Sequence, residues 1–103
     1  MGIIFDNRII EPYIQSYDNI ITEVNKEFID LTGFTLDELL GKSLMKICVM
    51  LRLNSQILLN NISSKYSGYI FTKSLSPREV NISLFQGKES NKKHIRCSRL
   101  QCT

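Results

Sequence analysis

The feature that most limits what this chain can fold into is a change of hydrophobic period along it. Residues 13–17 and 20–24 alternate or are rich in β-branched side chains, which is typical of strands. Residues 26–63 place apolar side chains three and four positions apart, in pieces too short for long helices. Alternation returns between Tyr69 and Phe85. This order predicts an α+β domain, a single antiparallel β-sheet with several short helices packed on one face.

Turn and capping residues divide the first half of the chain. Asp18-Asn19 predicts a two-residue hairpin turn, because both residues tolerate a left-handed backbone. Asn25 stands at an N-cap position for a helix over residues 26–32, and Gly33 fits the position just after that helix.

The capping signals continue into the second and fourth helices. Thr35 and Glu38 have capping-box spacing, and Gly41 closes the second helix that they begin. Asn54 caps a further helix predicted from Ser55 to about Ser63. We interpret Asn25, Gly33 and Gly41 as structural residues and not as ligands.

The residues from Asp18 to Ser43 carry a family resemblance. They contain DNIITEVNKEF, then LTGF, then ELLGKS. This succession resembles the PAS domain family, in which an Asp-Gly turn is followed by Ile, Val-Asn and Phe, then by Leu-Thr-Gly-Tyr and Glu-Leu-Ile-Gly-Lys. Asn19 stands where the family usually has glycine. The resemblance implies a PAS-like sheet and a sensory or regulatory module, commonly one that dimerises.

Outside residues 18–43, the chain departs from the family pattern at its C-terminal end, residues 88–103. We expect residues 1–12 to be a lead-in and dimerisation segment, and residues 13–87 to be the PAS-like domain. Residues 88–103 lack the alternating hydrophobics of the family's last strand. We therefore predict a basic tail there, with the last strand aberrant or missing. The loss of that strand would leave an exposed sheet edge.

An interior pocket for a small apolar ligand is one expectation from the resemblance; a filled core is the alternative. The candidate lining residues are apolar and lie on the predicted helices and strands: Phe28, Leu31, Leu44, Ile47, Ile57, Phe71, Ile82 and Leu84. The photoactive flavin subclass has a cysteine where this chain has Leu44, so we do not expect flavin photochemistry. Haem binding by a domain of this family would need a histidine on the helix near residues 55–63. These residues contain no histidine, so we do not expect haem either. No cofactor is firmly implied.

Partners are predicted mainly from the lead-in. We expect a homodimer, with contacts made by apolar residues outside the motif-bearing body: Ile3, Ile4, Phe5, Ile9 and Ile10. The output domain would be a histidine kinase, a diguanylate cyclase or a transcription regulator, in cis or in trans. A pure protein–protein interaction domain with a filled core is the alternative function.

Catalytic and metal chemistry is not indicated. The single histidine, His94, lies in the least patterned stretch, and no nucleophile elbow or phosphate-binding loop is present. His94, Cys97 and Cys102 lack a fourth ligand and a paired C-x-x-C, so we predict free thiols and no metal site. We expect a non-enzyme.

Charge and hydropathy exclude two further classes of partner. Residues 1–87 hold 8 Lys/Arg and 9 Asp/Glu, a net charge of −1, whereas residues 88–103 hold 5 and 1, a net of +4. Nucleic-acid binding would therefore be weak and confined to the tail. No apolar run approaches the length of a membrane span, and no secretory signal pattern opens the chain, so we expect a cytoplasmic protein without membrane contacts.

Overall fold

One five-stranded antiparallel sheet and four short helices make up the part of the chain that the computed structural model describes, residues 11–59, 63–87 and 91–99. The strands are β1 (Tyr13–Tyr17), β2 (Ile20–Val24), β3 (Ser64–Phe71), β4 (Pro77–Gln86) and β5 (Lys92–Arg99). The helices are α1 (Lys26–Thr32), α2 (Leu36–Leu39), α3 (Leu44–Leu51) and α4 (Ser55–Leu59). The strand order is β2-β1-β5-β4-β3. The predicted fold class is confirmed.

The β1–β2 hairpin and the entry to α1 follow the predicted turn and cap. Asp18 and Asn19 both have positive φ, 54° and 63°, as a tight hairpin turn requires. Asn25 accepts a hydrogen bond from the Phe28 amide at 2.9 Å and thereby caps α1. Its side chain also accepts from the Tyr13 amide at 3.0 Å and donates to the Glu11 carbonyl at 2.9 Å. One asparagine therefore joins the start of β1 to the start of α1.

The remaining helix ends agree with the sequence patterns except at α3 and α4. Gly33 ends α1 with φ +80°, and Thr35 and Glu38 form the capping box of α2. The sequence patterns predict no cap for the third helix; in the structure the Ser43 hydroxyl accepts from the Lys46 amide and caps a helix of 8 residues. The fourth helix ends at Leu59. Residues 60–62 of its predicted span lie outside the described residues.

The prediction of a basic tail over residues 88–103 is wrong for residues 92–99, which form β5. This strand lies between β1 and β4 and pairs with both. Its side chains alternate strictly, with Lys93, Ile95 and Cys97 buried. The first core position of the strand is Lys93, a charged residue, so the sequence did not show an alternating apolar pattern here. The folded unit therefore extends to Arg99, and β5 is central to the sheet.

The core lies between the helices and one face of the sheet. It contains the buried apolar residues of β1, β4 and β5 together with Phe28, Leu31, Leu44 and Ile47 from the helices. The opposite sheet face, which we call the outer face, carries the alternate residues of the same strands. Among the described residues, no helix has both the length and the apolar character to cross a bilayer.

Candidate functional site

Six of the eight candidate pocket residues lie together in the buried core. Phe28 and Leu31 come from α1 and Leu44 and Ile47 from α3, and they face the β4 residues Ile82 and Leu84 as one packed cluster. Each helix contributes an apolar pair at i, i+3, which places both side chains on the face turned toward the sheet. The interior between helices and sheet is therefore apolar over most of its area.

The other two candidates lie at the margin of this cluster. Ile57 of α4 is partly buried and packs against the core. Phe71 is half-buried at the end of β3, where the Arg52 guanidinium lies 5.9 Å from the centre of its ring. The fully buried residue at that end of β3 is its neighbour Ile70.

Leu44 and Cys48 occupy the interior side of α3. Leu44 is fully buried, so hydrocarbon fills the position that carries a cysteine in the photoactive flavin subclass. Cys48, one helical turn further on, is also buried, and burial raises the pKa of its thiol. A protonated, buried thiol is a poor nucleophile. Both residues therefore act as apolar packing groups.

A row of three polar residues interrupts the core face of the sheet. Lys93 of β5 is paired in register with Ser16 of β1 on one side and with Gln86 of β4 on the other. Cross-strand partners project to the same face, so the three side chains stand next to one another. We call Ser16, Lys93 and Gln86 the polar row. The next row toward the middle of the sheet, Ile14, Ile95 and Leu84, is entirely apolar.

Lys93 is buried in this row, with only 2% of its surface exposed. Its ammonium group donates to the Leu58 carbonyl of α4 at 3.2 Å. Burial lowers the pKa of Lys93, because an ammonium loses its hydration when it leaves water. The hydroxyl of Ser16, on a residue that is 0% exposed, has no hydrogen-bond partner within the described part of the chain. The polar row thus combines a desolvated cation with an unsatisfied hydroxyl.

The outer face of the central strands carries an exposed aromatic patch. Phe85 of β4 is 42% exposed and stands opposite His94 of β5. The Tyr13 hydroxyl lies 2.6 Å from Nδ1 of His94, and the two rings stack with centroids 6.1 Å apart. Partial burial and the nearby Glu23 carboxylate raise the pKa of Tyr13. The Arg96 guanidinium lies 5.9 Å from the centre of the Phe85 ring. We call Tyr13, Phe85, His94 and Arg96 the aromatic patch.

His94 and Cys97 cannot share a metal ion, because they project from opposite faces of β5. His94 belongs to the outer face, whereas Cys97 is buried in the core. Burial and the Glu11 carboxylate raise the pKa of Cys97 to about 12, so its thiol stays protonated. The third member of the set, Cys102, lies outside the described residues.

The candidate dimerisation residues Ile3, Ile4, Phe5, Ile9 and Ile10 also lie outside the described residues. The described chain begins at Glu11, next to the outer face. The Glu11 carboxylate accepts a hydrogen bond from the Ser98 hydroxyl at 2.6 Å and lies 3.7 Å from Nε of Arg96. Glu11, which follows Ile9 and Ile10 in the sequence, therefore lies beside the aromatic patch.

The sequence did not predict Ser16, Lys93 or the aromatic patch as functional residues. All of them depend on β5, and the pairing of β5 with β1 joins residues about 80 positions apart, as the contact between Tyr13 and His94 illustrates. One usable signal was present. Counting Lys93, Ile95 and Cys97 as one face would have restored the period of two that defines a strand.

Comparisons with known proteins agree on one fold. No protein-family model matches the chain, and no curated protein matches it in sequence. The PAS domain of an HTR-like protein from Haloarcula marismortui superposes with a TM-score of 0.63 at 17% identity, over 90% of this chain and 84% of that one. A PAS domain from a two-component sensor histidine kinase gives 0.64 at 18%, over 92% and 89%. The Rhodobacter sphaeroides LOV protein gives 0.72 at 13%, over 93% of this chain and 63% of its own.

Proposed function

We propose that this chain, whose fold is that of a PAS domain, is a non-catalytic sensory module of the cytoplasm. It binds a small ligand between its helices and its sheet. It passes the resulting change through a homodimer or partner contact to a separate output domain, such as a histidine kinase, a diguanylate cyclase or a transcription regulator. The solved structures that share the fold include a domain of a sensor histidine kinase, and this supports a sensory role.

The observation that carries the proposal is the position of β5. Lys93, Ile95 and Cys97 of this strand are buried under the helices, whereas His94 and Arg96 belong to the aromatic patch on the outer face. Successive residues of a strand share one backbone and point to opposite faces. A ligand that displaces the buried residues therefore also moves the outer-face residues between them. The strand connects the interior with the outer face directly.

The outer face is suited to contact a partner. Phe85 and Tyr17 are 42% and 45% exposed, and Arg96 lies next to Phe85 on the same face. Aromatic residues and arginine are the residue types enriched at protein interfaces. Glu11 lies beside this patch and directly follows the apolar lead-in in sequence, so we propose that Ile9 and Ile10 belong to the same homodimer contact.

Substitution of the patch tests the homodimer. Phe85→Asp places a charge in the aromatic patch, and a buried unpaired charge strongly destabilises an interface. Val49→Asp is the matched control, since Val49 is 69% exposed on α3, away from the outer face. We expect sedimentation analysis to find dimers for the unmodified chain and for Val49→Asp, and monomers for Phe85→Asp and for the double variant Ile9→Asp, Ile10→Asp. Dimeric Phe85→Asp protein would contradict the proposed contact.

A second candidate function is an interaction domain that binds no ligand. It is favoured by the continuity of the core, because Phe28, Leu31, Leu44, Ile47, Ile82 and Leu84 belong to one packed cluster. Such a domain would use the same outer face but would not respond to small molecules. A small molecule retained by the purified chain would favour the sensory module, and a purified chain without one would favour the interaction domain.

A further inference from the structure

The Lys93 and Ser16 side chains of the polar row are energetically unfavourable in an apolar core. A buried charge is strongly destabilising unless it is paired. Within the described residues, Lys93 has no carboxylate partner, and its one hydrogen bond is to the Leu58 carbonyl. An ammonium group can donate three hydrogen bonds. Donors therefore remain available on the buried cation.

The hydroxyl of Ser16 is a second buried polar group, with hydrogen-bonding capacity that the described residues leave unused. It is completely buried and has no hydrogen-bond partner among residues 11–59, 63–87 and 91–99, although buried polar atoms are almost always hydrogen-bonded. Ser16 and Lys93 are direct cross-strand partners, which places their Cβ atoms about 5 Å apart. One group with two acceptor oxygens can therefore accept from both side chains at once.

We propose that Lys93 and Ser16 bind the carboxylate of an amphipathic carboxylic acid. This inference rests on the proposed sensory function and names the ligand class. One carboxylate oxygen accepts from the Lys93 ammonium and the other from the Ser16 hydroxyl, and its negative charge neutralises the buried cation. The hydrocarbon part of the ligand lies against the apolar row formed by Ile14, Ile95 and Leu84, which follows the polar row in register.

The charge balance favours a monoanion over a phosphate. The row offers one cation, and a phosphate group at neutral pH carries nearly two negative charges. The apolar row beside it favours a ligand with a hydrocarbon portion over a small hydrophilic anion. A carboxylic acid with a short alkyl chain meets both conditions.

Hexanoate and its uncharged isostere hexanamide test the proposal on the full chain. Amide chemical-shift titrations of the isotope-labelled protein, at neutral pH and constant ionic strength, measure the affinity for each probe. We expect hexanoate to bind about tenfold more tightly than hexanamide, because only hexanoate carries a negative charge that neutralises the buried ammonium. We also expect the amides of Ser16, Gln86 and Lys93 to shift the most.

The variants Lys93→Met and Lys92→Met form a matched pair on one strand. Lys93→Met removes the buried cation, and we expect it to abolish the preference for hexanoate. Lys92 precedes it on the opposite face of β5, so Lys92→Met should retain the full preference. Ser16→Ala should weaken hexanoate binding several-fold, because it removes the hydroxyl that donates to the second carboxylate oxygen. If Lys93→Met fails to fold, the comparison of the two probes on the unmodified protein still decides.

Two results would overturn the inference. The first is that the unmodified protein binds hexanoate and hexanamide with equal affinity, or binds neither. The second is that folded Lys93→Met protein keeps the full preference for hexanoate. The amides of His94 and Arg96 on the outer face report separately on the proposed sensory function. Hexanoate binding through Lys93 without any shift there would support the carboxylate site and contradict the relay. A shift there with an uncharged ligand alone would support the relay and overturn the carboxylate site.

Discussion

At the scale of single residues, Lys93 is the position where stability and function are in conflict. Its ammonium is buried in the core beside Ser16, and the one hydrogen-bond acceptor that it has in the described part of the chain is the Leu58 carbonyl. A lysine in such a place destabilises the folded state, because the charge loses its hydration. The conflict can be measured as a dependence of stability on pH.

We predict that Lys93→Met is more stable than the unmodified chain at neutral pH, by about 1 kcal/mol or roughly 4–8 °C in Tm. Burial lowers the pKa of Lys93 in the folded state, so the unfolded state binds more protons between that lowered pKa and the ordinary lysine pKa of about 10.4. Stability of the unmodified chain therefore rises with pH across this window.

The stability advantage of Lys93→Met should accordingly shrink as the pH approaches about 10, where both states of the unmodified chain lose the proton. Thermal unfolding at a series of pH values checks this, with Lys92→Met as the control that should stay within about 0.5 kcal/mol of the unmodified chain. A Lys93→Met protein that is less stable than the unmodified chain at every pH would contradict this account. It would indicate that the main role of Lys93 is to stabilise α4 through its hydrogen bond to the Leu58 carbonyl.

The sequence was sufficient for residues whose role is local. Asn25, Gly33 and the Thr35–Glu38 capping box could be assigned because a cap depends on a few neighbouring positions and on backbone geometry. Lys93 could not be assigned, since its burial depends on strands distant in sequence. For the same reason the sequence located six core residues of the interior but not the polar row that crosses it.

At the scale of elements, β5 determines whether the sheet is one unit. The hairpins β1–β2 and β3–β4 each have their own pairing, and β5 joins them by pairing with β1 on one side and β4 on the other. Without it the sheet would divide into two hairpins, and a two-stranded hairpin alone is marginally stable at best. Its sequence did not reveal this importance, because a basic residue occupies its first core position.

We predict that truncation after Asn91, which removes β5, abolishes cooperative folding. Deletion of residues 100–103 alone is the matched control and should change the free energy of unfolding by less than about 0.5 kcal/mol. Denaturant unfolding followed by circular dichroism distinguishes the two cases. A cooperative transition in the chain truncated after Asn91 would show that the two hairpins form a stable core without β5, and would contradict the central role of this strand.

At the scale of the whole molecule, the two faces of the sheet have different roles. One face is covered by helices and contains the polar row, and the other presents the aromatic patch beside Glu11. The fold class followed from the order of periodic segments, because that order alone restricts the layers available. The position of the last strand in the centre of the sheet did not follow from it.

Native mass spectrometry of the purified full chain, compared with its mass under denaturing conditions, tests the central claim most directly. It reports the oligomeric state and any retained small molecule in one measurement. A dimer with additional mass that is lost on denaturation, and that corresponds to a carboxylic acid, is the result predicted by this account. A monomer whose native and denatured masses agree, even after incubation with hexanoate, would contradict it.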